Sequence, residues 1–171
     1  MRAKPEAEKK KTAFQNETNT LVYDFIKHHS VGTLATVDEQ NKPYGSVIYY
    51  AVDDHFIFRF TTKTGTKKHH NLQKNPNAML VVYDAASQTV AQIGGQAISI
   101  DNSLETRQIF LSMLEASLST SDSGVPPISK LMAGYYVGYE MRPETITFTP
   151  YGKPRTTNRN ATRVIDFLPK E

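Results

Sequence analysis

Residues 60–76 read FTTKTGTKKHHNLQKNP. Aromatic and β-branched residues end a strand at Thr61 and Thr62. Thr64 and Gly65 then supply turn chemistry, and a short helix fits from Thr66 to about Lys74, stopped by Asn75 and Pro76. From His55 to Tyr83 there is no Asp or Glu, while Arg59, Lys63, Lys67, Lys68 and Lys74 all fall in that span. A helix N-terminus offers unpaired N–H groups and a partial positive charge, so hydroxyls and ammonium groups gathered there suit a phosphate dianion. A plainer reading is also open at this point: Thr66 caps the helix and the lysines face solvent.

Working outward, Asn16 or Thr18 can cap an earlier helix to about His29, with Leu21, Val22, Phe25 and Ile26 on one stripe. Val31 to Val37 alternates as a strand, with Val31, Thr33, Ala35 and Val37 on one face. Turn residues 38–43 lead to a second strand, Tyr44 to Val52, and Asp53-Asp54 turns into a third, His55 to Thr61. After the short helix come strands at Ala78 to Tyr83 and Thr89 to Ile100, the latter with a bulge expected at Gly94-Gly95. Residues 101–103 cap a helix through about Leu118, and Ser119 to Pro127 reads as a loop. Strands at Tyr135 to Met141 and Thr145 to Thr149 are joined by a turn at Arg142-Pro143-Glu144, and Val164 to Leu168 is a last short strand. Strands outnumber helices and connect by hairpins, which predicts a mainly β protein: a small antiparallel barrel with flanking helices.

The 171 residues fit one domain, taken as 14–171, behind a basic tail at 1–13. Residues 1–12 carry Arg2, Lys4, Lys9, Lys10 and Lys11 against Glu6 and Glu8, which equals the whole net charge of +3. With so few apolar side chains the tail is expected to be disordered and solvated, and no nucleic-acid partner is expected. The absence of cysteine excludes disulfides and thiolate chemistry. No apolar run approaches the roughly 18–20 residues of a membrane span, so a cytoplasmic location is expected.

The stretch Thr61-Thr62, Gly65-Thr66-Lys67-Lys68, Asn75-Pro76 and the strand after it resembles the strand-turn-helix of pyridoxamine 5'-phosphate oxidase-like proteins. Val31 to Val37 with Pro43, Tyr44 to Ala51, Gln92 to Ala97, and Tyr139 to Phe148 resemble further strands of that family, in the same order, so the likeness covers roughly residues 20–150. It implies a six-stranded antiparallel split barrel of Greek-key type that binds FMN, as a homodimer with the cofactor at the interface. It implies that Thr62, Lys67 and Lys68, with Thr61 and Thr66 beside them, hold the phosphate. Ser46, Val47, Ile48 and Tyr49 would line the flavin ring, and Gln92 would approach it from the partner subunit or a neighbouring strand. Ser46 and Ala51 stand where the oxidases have Arg and Lys, so the chain is more similar to the general-stress-protein-like members than to a true oxidase.

The function implied is that of a flavin-dependent oxidoreductase acting on a small substrate, with reduced nicotinamide as candidate electron donor. The alternative is a non-catalytic module that binds or senses flavin, deazaflavin or haem. No essential acid-base side chain is expected, because the cofactor would carry the redox chemistry. His28-His29 and His69-His70 lack a nearby carboxylate or Cys cluster, so no metal site is expected. Arg155, Arg159 and Arg163 could cover the cofactor mouth or belong to a solvated loop.

Overall fold

The computed structural model describes residues 6–119, 135–152 and 162–167, with side chains described only from Glu17 to Ser117 in the first of these. The greater part of the Ser-rich stretch, 120–127, and both Arg155 and Arg159 lie outside the described residues. The elements in chain order are α1 (Glu6–His28), β1 (Val31–Val37), β2 (Pro43–Tyr49), β3 (Ala51–Val52), β4 (Phe58–Lys63), α2 (Lys67–Lys74), β5 (Asn77–Asp84), β6 (Thr89–Ile100), α3 (Ser103–Ser119), β7 (Tyr136–Pro150) and β8 (Arg163–Asp166).

The strands form one antiparallel sheet in the order β2-β1-β5-β6-β7-β4-β3, with β8 pairing β7. The two ends of that path, β2 and β3, are consecutive in the chain and interrupted only at Tyr50. The sheet therefore curls round until both edges meet in the stretch Pro43–Val52. At the interruption the Tyr50 N–H donates to the Ser30 carbonyl (3.0 Å) and its hydroxyl to the Ile26 carbonyl (2.8 Å). This is the mainly β barrel that the sequence predicts. The strand count exceeds six because one strand is broken at Tyr50 and β8 adds a short one.

Alternation decides what fills the barrel. In β1 the inward face is Gly32, Leu34 and Thr36, while Val31 and Thr33 are exposed. Gly32 is required there: a Cβ would lie 2.8 Å from Leu80 Cδ1 and 2.9 Å from the Val81 carbonyl oxygen. Phe58, Phe60, Leu80, Ile93, Tyr139 and Met141 complete the centre of the core. Each such side chain contributes at most about 1.5–3 kcal/mol by burial.

Three boundaries differ from the sequence reading, each for a physical reason. Strand β4 starts at Phe58 rather than His55, because Asp53 Oδ1 accepts the N–H groups of His55 (3.0 Å) and Ile57 (2.9 Å) and folds that stretch into a turn. The expected turn at Arg142-Pro143-Glu144 is a bulge inside the single strand β7. Gly94 faces Thr145 and Gly95 faces Pro143, leaving Glu144 as the extra residue. Pro143 has no N–H to lose there, and Gly95 has no side chain to clash: a Cβ on it would lie 2.1 Å from the Arg142 carbonyl oxygen. Third, α1 runs from Glu6, ten or more residues before the start expected at Asn16 or Thr18. Ala, Glu and Lys at 6–11 are strong helix formers.

Candidate functional site

Helix α2 packs against β1, β2 and β6 through His69, Asn71 and Leu72, and it starts at Thr66 as the sequence predicts. Thr66 is the N-cap: its Oγ1 accepts from the His69 N–H (3.4 Å) and donates to the Lys63 carbonyl (2.9 Å). Thr62, buried at the end of β4, lies 3.1 Å from it, hydroxyl to hydroxyl. The first turn of α2 carries no acid.

Two side chains anchor the helix to the barrel. His69 is buried, and its Nδ1 lies 2.9 Å from the Tyr139 hydroxyl. Tyr139 in turn stacks on Phe60, with ring centroids 5.2 Å apart. Asn71 is buried and donates to Thr36 Oγ1 (3.0 Å). Burial, helped by the neighbouring His70, holds the His69 pKa below its ordinary value.

The two lysines that head the helix differ. Lys67 is half exposed, lies 3.7 Å from Asp38 Oδ2 and sits over the Tyr44 ring at 5.5 Å. Lys68 is half-buried and has no ion pair or hydrogen bond among the described residues. Burial alone pushes its pKa down. Elsewhere, Ser46 Oγ on β2 and Asn19 Oδ1 on α1 are buried with no hydrogen-bond partner among the described residues. Between α2 and the turn after β1 is a cavity of about 240 Å³, lined by Asp38, Glu39, Gln40, His70, Asn71 and Lys74.

The other expected site residues divide by face. Val47 is 66% exposed on the outer face of β2, and Tyr49, on the same face, is half-buried. Ile48 points inward and belongs to the core, so only its backbone is open to a ligand on the outer face. Thr61 also faces away from α2: its Oγ1 donates to Met113 Sδ on α3 (3.8 Å). Gln92 is exposed on the same outer face as Val47, reached through the cross-strand partners Thr33 and Val81. Three strand spacings separate the two, about 14 Å along the sheet. Within one chain, therefore, Thr62 and Thr66 come together at the start of α2 beside Lys67 and Lys68, whereas Gln92 is separated from Val47 by three strand spacings. The sequence reading missed Asp38, Asn71 and Tyr139. The position of His69 three residues before Leu72 on the buried stripe of α2 was the available signal for that anchor.

The histidine pairs form no cluster. His28 and His29 each lie 2.6 Å from a backbone carbonyl of their own helix, those of Asp24 and Phe25. Asp53, Asp54 and His55 bring three potential metal ligands together in a turn, but Asp53 is already taken by Arg59 (2.8 Å) and by backbone N–H groups. A larger open pocket of about 550 Å³ between α1 and β7 shares no residue with the α2 corner.

A family model described as pyridoxamine 5'-phosphate oxidase matches residues 20–149. General stress protein 26 of Bacillus subtilis (strain 168) is 33% identical over 105 residues, covering 59% of this chain and 73% of that protein. A protein from Clostridium acetobutylicum related to general stress protein 26 has the same fold, at a TM-score of 0.65 and 12% identity over 88% of this chain and 95% of that one. So does an FMN-binding, pyridoxamine 5'-phosphate oxidase-related protein from Nostoc punctiforme, at 0.56 and 14% over 88% and 95%. The fold also serves an F420 reductase (0.57, 20% identity, 72% and 93% covered) and a haem-binding protein from Mycobacterium smegmatis (0.61, 15%, 83% and 55%). No described helix is long and apolar enough to cross a membrane.

Proposed function

From the premise that the chain belongs to the pyridoxamine 5'-phosphate oxidase family, we propose that it is an FMN-binding flavoprotein, an oxidoreductase that acts on a small substrate with reduced nicotinamide as electron donor. One observation carries the cofactor assignment: Lys68 is a half-buried cation at a helix start, with no counter-charge among the described residues. Such a group destabilises the free protein and becomes favourable once an anion arrives. The residues around it fit a phosphate monoester. Lys67 and Lys68 supply charge, the first N–H groups of α2 point outward by helix geometry, and the Thr62–Thr66 hydroxyl pair adds polar contacts.

When bound, FMN supplies reversible acceptance of a hydride or of electrons. The chain's own residues bind and orient it. Lys67, Lys68, Thr62 and Thr66 fix the phosphate end, and the outer face of β2, with Val47 and Tyr49, offers an apolar wall for the ring. The exposed outer face also supports a homodimer. Val47 (66% exposed), Met79 (42%) and Tyr83 (59%) lie on that face of β2 and β5, and a second copy laid over them would remove apolar surface from water and bring another subunit's Gln92 toward the ring. A cytoplasmic location goes with this reading.

The test is a titration of the purified full chain with FMN, followed by quenching of flavin fluorescence, with light scattering on the same sample. Saturable binding is expected, weakened about 100-fold or more in Lys67→Ala/Lys68→Ala, since charge-assisted hydrogen bonds contribute about 1.5–3 kcal/mol each. Equal binding by the double variant would remove the phosphate assignment. Val47→Glu is expected to shift the dimer toward monomer; a dimer indifferent to it would place the interface elsewhere.

A second reading, a non-catalytic module that stores or senses flavin, deazaflavin or haem, is favoured by Ser46 and Ala51, which put no positive charge on β2 and β3. Steady oxidation of reduced nicotinamide by the FMN-loaded protein would decide for the enzyme.

A further inference from the structure

The turn after β1 lies along α2 and contributes acids to it. Glu39 pairs with Lys74 (3.3 Å) and Asp38 with Lys67 (3.7 Å), so of the helix's three lysines only Lys68 has no acid partner among the described residues. The Glu39 pair is exposed on both sides and carries little. Asp38 is different. Its side chain is only 16% exposed. Its Oδ1 accepts the N–H groups of Gln40 (3.0 Å) and Lys42 (2.9 Å), and its own N–H donates to the Lys42 carbonyl (3.1 Å). The carboxylate is thus fixed by the turn, and its remaining oxygen, Oδ2, is the one turned to Lys67.

A fixed anion beside an anion site acts twice. It holds a cation that the ligand would use, and it repels the ligand's own charge. We infer that Asp38 sets the affinity of the α2 site by competing with an incoming phosphate for Lys67. This rests on the reading of the site as a phosphate site and adds a residue that sequence motifs do not supply. Lys68 is the standing attraction of the site, and Lys67 is recruited only as it leaves Asp38. The arrangement makes the grip on phosphate weaker than two free lysines would give, which suits a cofactor that is exchanged rather than held for the life of the protein.

Asp38→Asn isolates the effect. An amide oxygen still accepts the two N–H groups that Oδ1 accepts now, so the turn is retained while the charge is removed; unchanged thermal melting checks this. The full chain is titrated as wild type, Asp38→Asn, Lys67→Ala and the double variant, with FMN and with riboflavin, which lacks the phosphate. Asp38→Asn is expected to tighten FMN about fivefold, the upper range for an exposed ion pair. Riboflavin affinity should not change, and the gain should shrink in the Lys67→Ala background. FMN affinity that is unchanged or weaker in Asp38→Asn, with Lys67→Ala still lowering it, overturns this inference alone. If neither Lys67→Ala here nor Lys67→Ala/Lys68→Ala lowers FMN affinity, the phosphate reading falls and takes this inference with it. A gain that is equal for riboflavin overturns the inference too, because the effect would then not act through phosphate.

Discussion

Two charged corners of the barrel are built on opposite logic. Where β4 meets β7, Arg59 donates to Asp53 (2.8 Å) and to Glu140 (3.1 Å), and Glu140 accepts a second cation, Arg142 (2.7 Å). Burial works against the charge on Asp53, yet the Arg59 hydrogen bond, with those from Ile57 and His55, outweighs it and leaves the carboxyl below its usual range. At the start of α2, Lys68 is half-buried with no partner among the described residues, and burial alone moves its pKa. A charge that the fold needs for itself is paired within the fold. A charge left unpaired at comparable depth costs stability and calls for a partner from outside. The contrast is what separates structural ionisable groups from binding ones in this molecule.

Arg59→Met tests the structural corner and has the largest expected effect on stability. It leaves Asp53 and Glu140 without their shared cation, and a loss of about 1–3 kcal/mol is expected once partial exposure is discounted. Chemical denaturation should show a lower midpoint while FMN affinity stays as in the wild type; a large loss of FMN affinity at full stability would erase the contrast. Lys68→Met tests the other corner and should do the reverse. Relief of desolvation, discounted for partial exposure, leaves stability unchanged or raises it by less than about 1 kcal/mol, so the midpoint holds or rises, while FMN binding falls steeply. A clear drop in midpoint would show that Lys68 belongs to the fold.

The smallest effect concerns the anchor between the corners. His69 is held neutral in the fold, so its folded pKa lies below the ordinary 6.5. As pH falls through 6.5 the unfolded chain takes up the proton before the folded one does, so stability declines from there downward until the folded pKa is passed. Tyr139 works at the other end: burial pushes it up to about 12. Its contribution is intact below its ordinary value of 10.0 and fades as pH rises toward 12. Melting temperatures from pH 8 down to 5 should fall, and the slope should flatten in His69→Gln. An equal slope in that variant would assign the acid limb to another group.

Much of this was legible in the chain. The β4–α2 segment could be read because its signals are local: a β-branched strand end, a Gly turn, a capping Thr, an Asn-Pro stop. The barrel class followed from alternation and short turns. Local signals fail where the answer sits on a distant strand. Arg142-Pro143-Glu144 has turn composition, and only its pairing with Gly95 makes it a bulge. Alternation grouped Val31 with Thr33 and put Ile48 out of step with Val47, but which face is inside depends on five strands at once. Spacing alone does not show that Ile48 turns into the core or that Thr61 reaches Met113 on α3. The His69–Tyr139 contact spans 70 residues, and the Asp38–Lys67 contact depends on how α2 docks on β1. Neither leaves a trace in spacing.

The single stave shared by both edges of the cylinder has a kinetic consequence. Pro43–Val52 makes its two sets of bonds with near neighbours in the chain, β1 and β4, and both hairpins can form early. Neither makes an enclosure. The hoop shuts only when residue 58 finds residue 141 and residue 34 finds residue 80, meetings that are rare in an open chain. Until then, the sticky inner walls of both hairpins are bare, and a newly made copy is at its most vulnerable to clumping during that wait.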